Sequence, residues 1–200
     1  MSKHKHVSRS ICYNGPTALI VALLDCIEEI GDKSDLVLKA AGASYGMGEL
    51  KSGRVDVDIA VFTRVNRACN TRLRDHIEKS GNGNSLNEDQ FRLLCKCLVG
   101  SADLEEAIGT TSAFFAMFDG RLGRIDLDSV GRSAALRVNP LRHGLSAASF
   151  LIDVYGIAVM HMLYEWLTAQ PLKLDWVQLA YPRTSRSVFA LGLFDCPVTF

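Results

Sequence analysis

His161 and Glu165 are the pair of residues whose types and spacing come nearest to a chemical arrangement. They lie four residues apart in a long apolar segment, and residues at i and i+4 are neighbours on one face of a helix. The imidazole of His161 is then either a hydrogen-bonded structural group of the core, which we favour, or a polar contact in a ligand pocket. A catalytic base is the weakest interpretation, because no other group near the pair completes a catalytic arrangement.

The other candidate motifs give little support to metal or nucleotide chemistry. His4 and His6 form a His-x-His pair in a basic N-terminal stretch, and a closed metal site would need further ligands held in place. Cys95 and Cys97 lie two residues apart in a predicted helix and therefore point away from each other. The Gly-x-Gly at Gly46 follows no strand and opens no helix, unlike a dinucleotide-binding loop. We therefore predict no metal site, no catalytic site and no cofactor.

Several arginines surround a predicted hairpin, namely Arg121, Arg124, Arg137 and Arg142. They have two interpretations. Grouped guanidinium ions can meet an anionic effector, whereas arginines on the edges of strands are commonly solvated surface residues. We favour the second.

The composition excludes some classes of protein. Lys plus Arg and Asp plus Glu number 22 each, so the formal net charge is zero, whereas nucleic-acid binding usually needs a basic surface. A hydrophobic content of 48% over 200 residues indicates a globular fold rather than a disordered chain. The six cysteines lie mostly in apolar helical runs without a secretory signal, which predicts reduced thiols in a cytoplasmic protein. The longest apolar runs are shorter than the roughly 20 residues of a membrane span, so we predict no membrane partner.

Apolar periodicity predicts several helices in the first half of the chain. Residues 1–10 read as a flexible tail, and residues 11–200 as a single domain. The predicted helices cover residues 18–30, 36–41, 56–73 and 87–99, and a further one follows Ser101 and contains the aromatic residues 114–118. The segment around Gly46 and Gly53 reads as a loop. Asn82 lies in the strongest turn signal of the chain.

The second half of the chain combines strands with one dominant helix. Two alternating runs within residues 121–138, separated by a turn at Gly131, predict a β-hairpin. Residues 146–169 form a long helix that is apolar most of the way round, which indicates a core helix buried on more than one side. A strand at 173–181, a short amphipathic segment at 184–194 and a final strand at 196–200 follow. The pattern predicts an α+β fold, with helices packed on a small antiparallel or mixed sheet and one long buried core helix.

From residue 104 onward the order of these features resembles a known family. The segments are 104–108, 114–118, the hairpin, the helix end Glu165-Trp-Leu-Thr168, the strand up to Pro182, and Phe194-Asp-Cys-Pro-Val-Thr-Phe200. The helix end and the closing Phe-x-x-Pro-Val-x-Phe pattern are similar to the N-terminal regulatory, arabinose-binding-like domain of AraC-type transcriptional regulators. The match covers about half of the chain by motif and the first hundred residues by their helical layout.

The resemblance implies a cytoplasmic bacterial domain that senses a small-molecule effector and forms a homodimer. DNA would be bound only by a C-terminal helix-turn-helix domain, which we expect to lie outside these residues because the chain stops at Phe200 on an apolar strand. The polar-tipped residues that we predict to contact an effector are Tyr155, His161, Tyr164, Trp166 and Trp176. Two alternatives remain, a purely structural dimerisation module and, less favoured, a small enzyme of unknown type.

Overall fold

The architecture is that of a computed structural model, which describes residues 16–81, 83–118, 121–130, 133–183 and 190–200. The helices are α1 (Pro16–Glu29), α2 (Ser34–Ala40), α3 (Met47–Lys51), α4 (Ile59–Lys79), α5 (Glu88–Leu98), α6 (Leu104–Ala116) and α7 (Ala147–Thr168). The strands are β1 (Arg124–Val130), β2 (Ser133–Asn139), β3 (Val177–Gln178) and β4 (Val198–Thr199). The predicted α+β class is confirmed.

Side-chain caps fix where several helices begin. Asp58 accepts hydrogen bonds from the backbone of α4, so this helix begins three residues later than predicted, and it runs on to Lys79. Asn87 and Gln90 form a reciprocal capping box at α5. Asp103, rather than Ser101, caps α6. Ser146 caps α7 as predicted. Polar residues at these positions satisfy backbone N–H groups that have no partner inside the helix.

The segment predicted as a loop around Gly46 contains a helical turn, and that prediction was wrong. Residues Met47–Lys51 form α3, and the carboxylate of Asp35 accepts a hydrogen bond from the Met47 backbone N–H at 2.9 Å. Met47 and Leu50 are buried in the core. Tertiary burial of these two side chains therefore supports a helix that local propensity, with two glycines nearby, did not indicate.

The hairpin is antiparallel and packs on α6. Its register pairs Ile125 with Val138 and Leu127 with Leu136. The Ser112 hydroxyl of α6 donates a hydrogen bond to the Ile125 carbonyl at 2.7 Å. Gly123, which leads into β1, has φ +88°, and a Cβ there would lie 2.2 Å from the Asn139 carbonyl oxygen. Only glycine fits this entry to the hairpin.

The two C-terminal strands are much shorter than predicted. Of the strands expected at 173–181 and 196–200, only Val177–Gln178 and Val198–Thr199 are regular, and they pair in parallel. The backbone N–H groups of Val177 and Leu179 donate to the carbonyls of Pro197 and Thr199, each at 2.9 Å. The tail at 1–10 and residues 184–189 of the predicted amphipathic segment lie outside the described residues.

The apolar side chains form two separate clusters that share one helix. The first core is built by α1 to α4, the first half of α7 and the C-terminal strands. The second core is built by α5, α6 and the second half of α7, and its buried members are Leu94, Leu98, Ala107, Ile108, Phe114, Met160 and Tyr164. Because α7 supplies residues to both, it joins the two halves of the domain.

The long predicted helix is a core helix, but only part of its surface is buried. Phe150, Leu151 and Val154 are buried in the first half, whereas Met162 is 54% and Trp166 67% exposed. By length and composition alone α7 would suffice to cross a membrane, yet 44% of its most apolar stretch is buried inside the protein. Part of α7 therefore packs inside the domain, and the rest of its apolar surface is open.

Candidate functional site

A chain of polar side chains crosses the interface between α4 and α7. The Asn66 amide donates a hydrogen bond to the Tyr155 hydroxyl at 2.9 Å. The Asn70 amide donates to the Asn66 side-chain oxygen at 2.9 Å and also to the Asn66 carbonyl. All three residues are half-buried. The interface is otherwise part of the apolar first core, so these polar side chains bond one another within it.

Tyr164 lies on a different side of α7 and is part of the second core. Its hydroxyl donates a hydrogen bond at 3.0 Å to the Thr111 hydroxyl, which in turn donates to the Ala107 carbonyl. Burial raises the pKa of Tyr164, and the bond to Thr111 opposes part of this effect. The phenol is therefore neutral and its hydrogen-bonding capacity is largely used within the core.

His161 and Glu165 do form the predicted pair, and they hold the chain segment that follows α7. His161 Nε2 lies 2.7 Å from the Leu172 carbonyl oxygen, and the Leu172 N–H donates to Glu165 Oε1 at 3.0 Å. The two side chains are 3.8 Å apart. The backbone N–H and carbonyl of Leu172 are thus both hydrogen-bonded, by the side chains of Glu165 and His161, which lie one helical turn apart. This arrangement agrees with the hydrogen-bonded structural interpretation of His161.

The two tryptophans are largely exposed. Trp166 is one of the residues that line a shallow groove open to solvent. The others are Glu165, Ala169, Gln170 and Pro171. Trp176 precedes β3 and is also exposed. Ala169 ends α7 in the left-handed conformation, with φ 51° and ψ 28°, which strains a residue that has a Cβ. The groove offers a surface contact rather than an enclosed pocket.

A buried ion pair lies on the side of α7 next to the hairpin exit. The Arg142 guanidinium bonds the Asp153 carboxylate and donates to the Asn84 carbonyl at 3.1 Å. Their side chains are only 6% and 9% exposed. The Tyr181 hydroxyl also donates to Asp153. Burial and the neighbouring carboxylate raise the pKa of Tyr181. Because the guanidinium is already paired, this network joins segments of the fold and is not an open anion site.

Of the three residues in this network, only Arg142 was predicted from the sequence as a candidate, whereas Asp153 and Tyr181 were not. Asp153 is the one carboxylate in the first half of an apolar helix, which is a recognisable signal for a buried partner. The other hairpin arginines behave as surface residues. Arg124 pairs with Asp126 and Arg137 with Asp128, in exposed ion pairs.

The expectation that the chain lacks a Gly-x-Ser-x-Gly motif was wrong, because residues 42–46 have this pattern. In hydrolases this spacing places a serine on a tight turn between a strand and a helix. Here Ser44 is exposed in the connection between α2 and α3, and no described residue forms a hydrogen bond with its hydroxyl. The structural context of a nucleophile elbow is absent from this part of the chain.

The thiols offer no reactive centre within the described residues. Cys26 and Cys69 are buried between α1 and α4, and burial raises the pKa of Cys69 to about 12. A thiol with such a pKa stays protonated and unreactive at neutral pH. Among the described residues, no group of three or more His, Cys, Asp or Glu side chains is arranged to hold a metal ion.

The five predicted effector residues therefore lie in different surroundings. Tyr155 faces α4, Tyr164 faces α6, His161 holds the segment after α7, and the two tryptophans face solvent. Tyr155 is the member whose polar neighbours have hydrogen-bonding capacity to spare. All five stay predictions.

Comparison with known protein families matches residues 51–200 to the N-terminal, arabinose-binding domain of AraC transcription regulators. Neither a curated protein nor a solved structure matches the chain significantly. The matched region contains α4 to α7 and strands β1 to β4. It therefore includes α7 and elements of both cores that pack against it. The family is one of regulatory, ligand-binding domains rather than of enzymes. Since the match covers three quarters of the sequence, the chain belongs to the family of N-terminal arabinose-binding domains of AraC transcription regulators.

Proposed function

We propose that the chain is the effector-sensing and dimerisation domain of a cytoplasmic, bacterial AraC-type regulator. It would bind a small molecule and so control the DNA binding of a separate helix-turn-helix domain. The observation that carries this proposal is the family match over residues 51–200. The zero formal net charge supports it, because DNA binding relies on positively charged residues that contact phosphates. In the proposed regulator the separate helix-turn-helix domain supplies these residues.

The shared helix gives this function a physical route. A ligand that contacts α7 within one core alters the free energy of packing in the other, since the same helix completes both. It shifts an equilibrium between two arrangements only by its difference in affinity for them. Tyr155, His161, Tyr164, Trp166 and Trp176 are distributed along α7 and the segment that follows it, and they remain our proposed contacts.

A thermal-shift screen of the purified chain tests the proposal. The panel should include sugars, amino acids and fatty acids, each over a range of concentrations. A ligand that binds only the folded state increases the free energy of unfolding, by about 2.7 kcal/mol at a hundredfold excess over its Kd. The melting temperature rises as a result. A dose-dependent increase for one chemical class supports effector sensing. Light scattering on the same samples measures the oligomeric state.

A structural dimerisation module without an effector is the second candidate. The exposed apolar residues Met162 and Trp166 favour it, because they lie one turn apart on the same side of α7. Flat melting curves across the whole panel, together with a stable dimer, would replace the sensor proposal with this one. A monomer with flat curves would count against both.

A further inference from the structure

The hairpin has one covered edge and one open edge. On the β1 side, the Ile125 carbonyl accepts a hydrogen bond from the Ser112 hydroxyl of α6 at 2.7 Å. This carbonyl therefore points away from β2, which makes Ile125 and Val138 a pair without mutual backbone hydrogen bonds. In an antiparallel ladder such pairs alternate with hydrogen-bonded ones, so the backbone groups of Leu136 and Ala134 also point outward from β2.

These outward backbone groups of Ala134, Leu136 and Val138 form the β2 edge. Within the described part of the chain, no residue forms a hydrogen bond with them, and the sheet ends at β2. Ala134 and Leu136 are exposed. Such an edge is a template for a strand of another chain, and natural proteins commonly block it with lysine or proline. The β2 segment contains neither residue.

The β2 edge is complementary to a second copy of itself. When two β2 strands lie antiparallel with Leu136 opposite Leu136, Ala134 of each copy lies opposite Val138 of the other. Each of these pairs exchanges two backbone hydrogen bonds, about six in all. The exchange is the same in both directions, as a two-fold axis requires. The side chains that meet on this face are all apolar, which favours cross-strand contact.

The charges on the opposite face do not oppose this pairing. Arg137 is the one charged residue in the β2 segment, and it is already paired with Asp128 of β1. In the register centred on Leu136, Arg137 lies opposite Ala135 of the second copy. No like charges are therefore directly opposite each other, an arrangement that would destabilise a strand pair.

We propose that the β2 edge is the homodimer interface, with two β2 strands antiparallel about Leu136 in one continuous sheet. This inference rests on the proposed dimerisation and adds to it the surface and its geometry. Leu127, which pairs with Leu136 across the hairpin, packs against the second core. The sheet then connects the second cores of the two copies, so packing changes in these cores reach the dimer interface.

Sedimentation velocity over a range of protein concentrations tests the proposal. The wild-type chain should be a dimer. Ala134→Pro removes an outward N–H that the pairing of β1 with β2 does not use, so the hairpin itself is retained. About two of the interchain hydrogen bonds are lost, and the dimer Kd should increase about tenfold or more. Met162→Gln, on the exposed surface of α7, is the control and should leave the Kd unchanged.

Cross-linking tests the register independently of stability. In a Cys97→Ser background, Leu136→Cys would place two thiols at a hydrogen-bonded pair, whose Cα atoms lie about 5.5 Å apart and suit a disulfide. Oxidation with diamide should then give a covalent dimer on non-reducing denaturing electrophoresis. Ser129→Cys in the same background is the matched control. Its two copies would be about 14 Å apart, three strand spacings, and should not be linked.

The possible outcomes separate this surface from dimerisation itself. A dimer that Ala134→Pro leaves intact and that Leu136→Cys does not cross-link would overturn the β2 interface. Loss of the dimer in Met162→Gln alone would also overturn it and place the interface on α7. A wild-type monomer at every concentration would overturn both the surface and the proposed dimerisation, whereas effector sensing would still be decided by the thermal-shift screen. Melting curves establish that each variant is folded.

Discussion

The two cores differ in how completely they are closed. The first contains many side chains with almost no solvent exposure, among them Ile20, Leu24 and Leu73. Among the described residues the second has only seven buried members, and the helix that completes it exposes Met162 and Trp166 nearby. Since burial of apolar area is the main favourable term in folding, the first core holds most of the stability. The second core is the half whose packing is easier to open and therefore easier to regulate.

The largest expected effect of a single substitution is at the buried ion pair of Arg142 with Asp153. Asp153→Ala leaves the buried Arg142 guanidinium without its counter-ion and the Tyr181 hydroxyl without its acceptor. We expect a loss of about 3–5 kcal/mol in the free energy of unfolding, measured by urea denaturation. The exposed pair of Asp128 with Arg137 provides the control, and Asp128→Ala should cost less than about 1 kcal/mol. Equal losses of unfolding free energy in the two variants would show that the buried ion pair contributes no more to stability than the exposed one.

Cavities in the two cores should behave differently. Leu24→Ala and Leu94→Ala each empty a fully buried site and should each cost about 2–5 kcal/mol. Native-state hydrogen exchange shows where this free energy is lost. For Leu94→Ala we expect faster exchange in α5 and α6 with little change in α1 and α4. For Leu24→Ala exchange should rise throughout the chain. Identical exchange patterns would show that the cores unfold as one unit.

The phenol of Tyr164 makes the stability of the second core depend on pH. Because burial raises its pKa in the folded state, the unfolded chain releases the proton first as the pH rises. Stability is thus complete below a pH of about 10 and decreases above it. Tyr164→Phe should cost about 1 kcal/mol at neutral pH and reduce the alkaline loss. Melting temperatures between neutral and strongly alkaline pH measure both, and an unaltered alkaline slope in the variant would contradict this origin.

The smallest expected effect is a gain in stability. Ala169 ends α7 with a positive φ that costs a residue with a Cβ about 1–2 kcal/mol, whereas glycine adopts it freely. Allowing for the greater flexibility of glycine in the unfolded chain, Ala169→Gly should stabilise the protein by about 0.5–1 kcal/mol. Differential scanning calorimetry would detect the rise in melting temperature. Ala158→Gly, in the buried middle of the same helix, should instead lower it.

Much of the fold followed from local patterns in the sequence. The apolar stripe of Val65, Cys69 and Leu73 on α4 is buried, and the alternation around Ile125 does mark a hairpin strand. The same patterns failed where long-range contacts decide. Ile59 continues the apolar spacing of that stripe towards the N-terminus, yet it is exposed at the first position of α4. The C-terminal strands are short because only two residue pairs find a neighbour within the described residues.

The candidate site was less predictable than the fold. Tyr155 was predicted from its polar tip, but its partner Asn66, and Asn70 that bonds Asn66, lie on another helix, far away in sequence. The apolar pattern of one helix does not indicate which face of another helix it will pack against. The pairing of His161 with Glu165 was visible because both lie on one helix, whereas their shared contact with Leu172 was not. Contacts within an element can be read from spacing, but contacts between elements require the packing.

Hydrogen exchange with the compound identified by the screen tests most directly whether an effector acts through α7. The account predicts that saturating ligand slows exchange in α7 around Tyr155 and in α4 around Asn66, which bonds Tyr155. A smaller protection should extend along α7 into the second core, because one helix completes both. Protection confined to the groove beside Trp166, with α4 unchanged, would contradict this account and place the effector elsewhere on the domain.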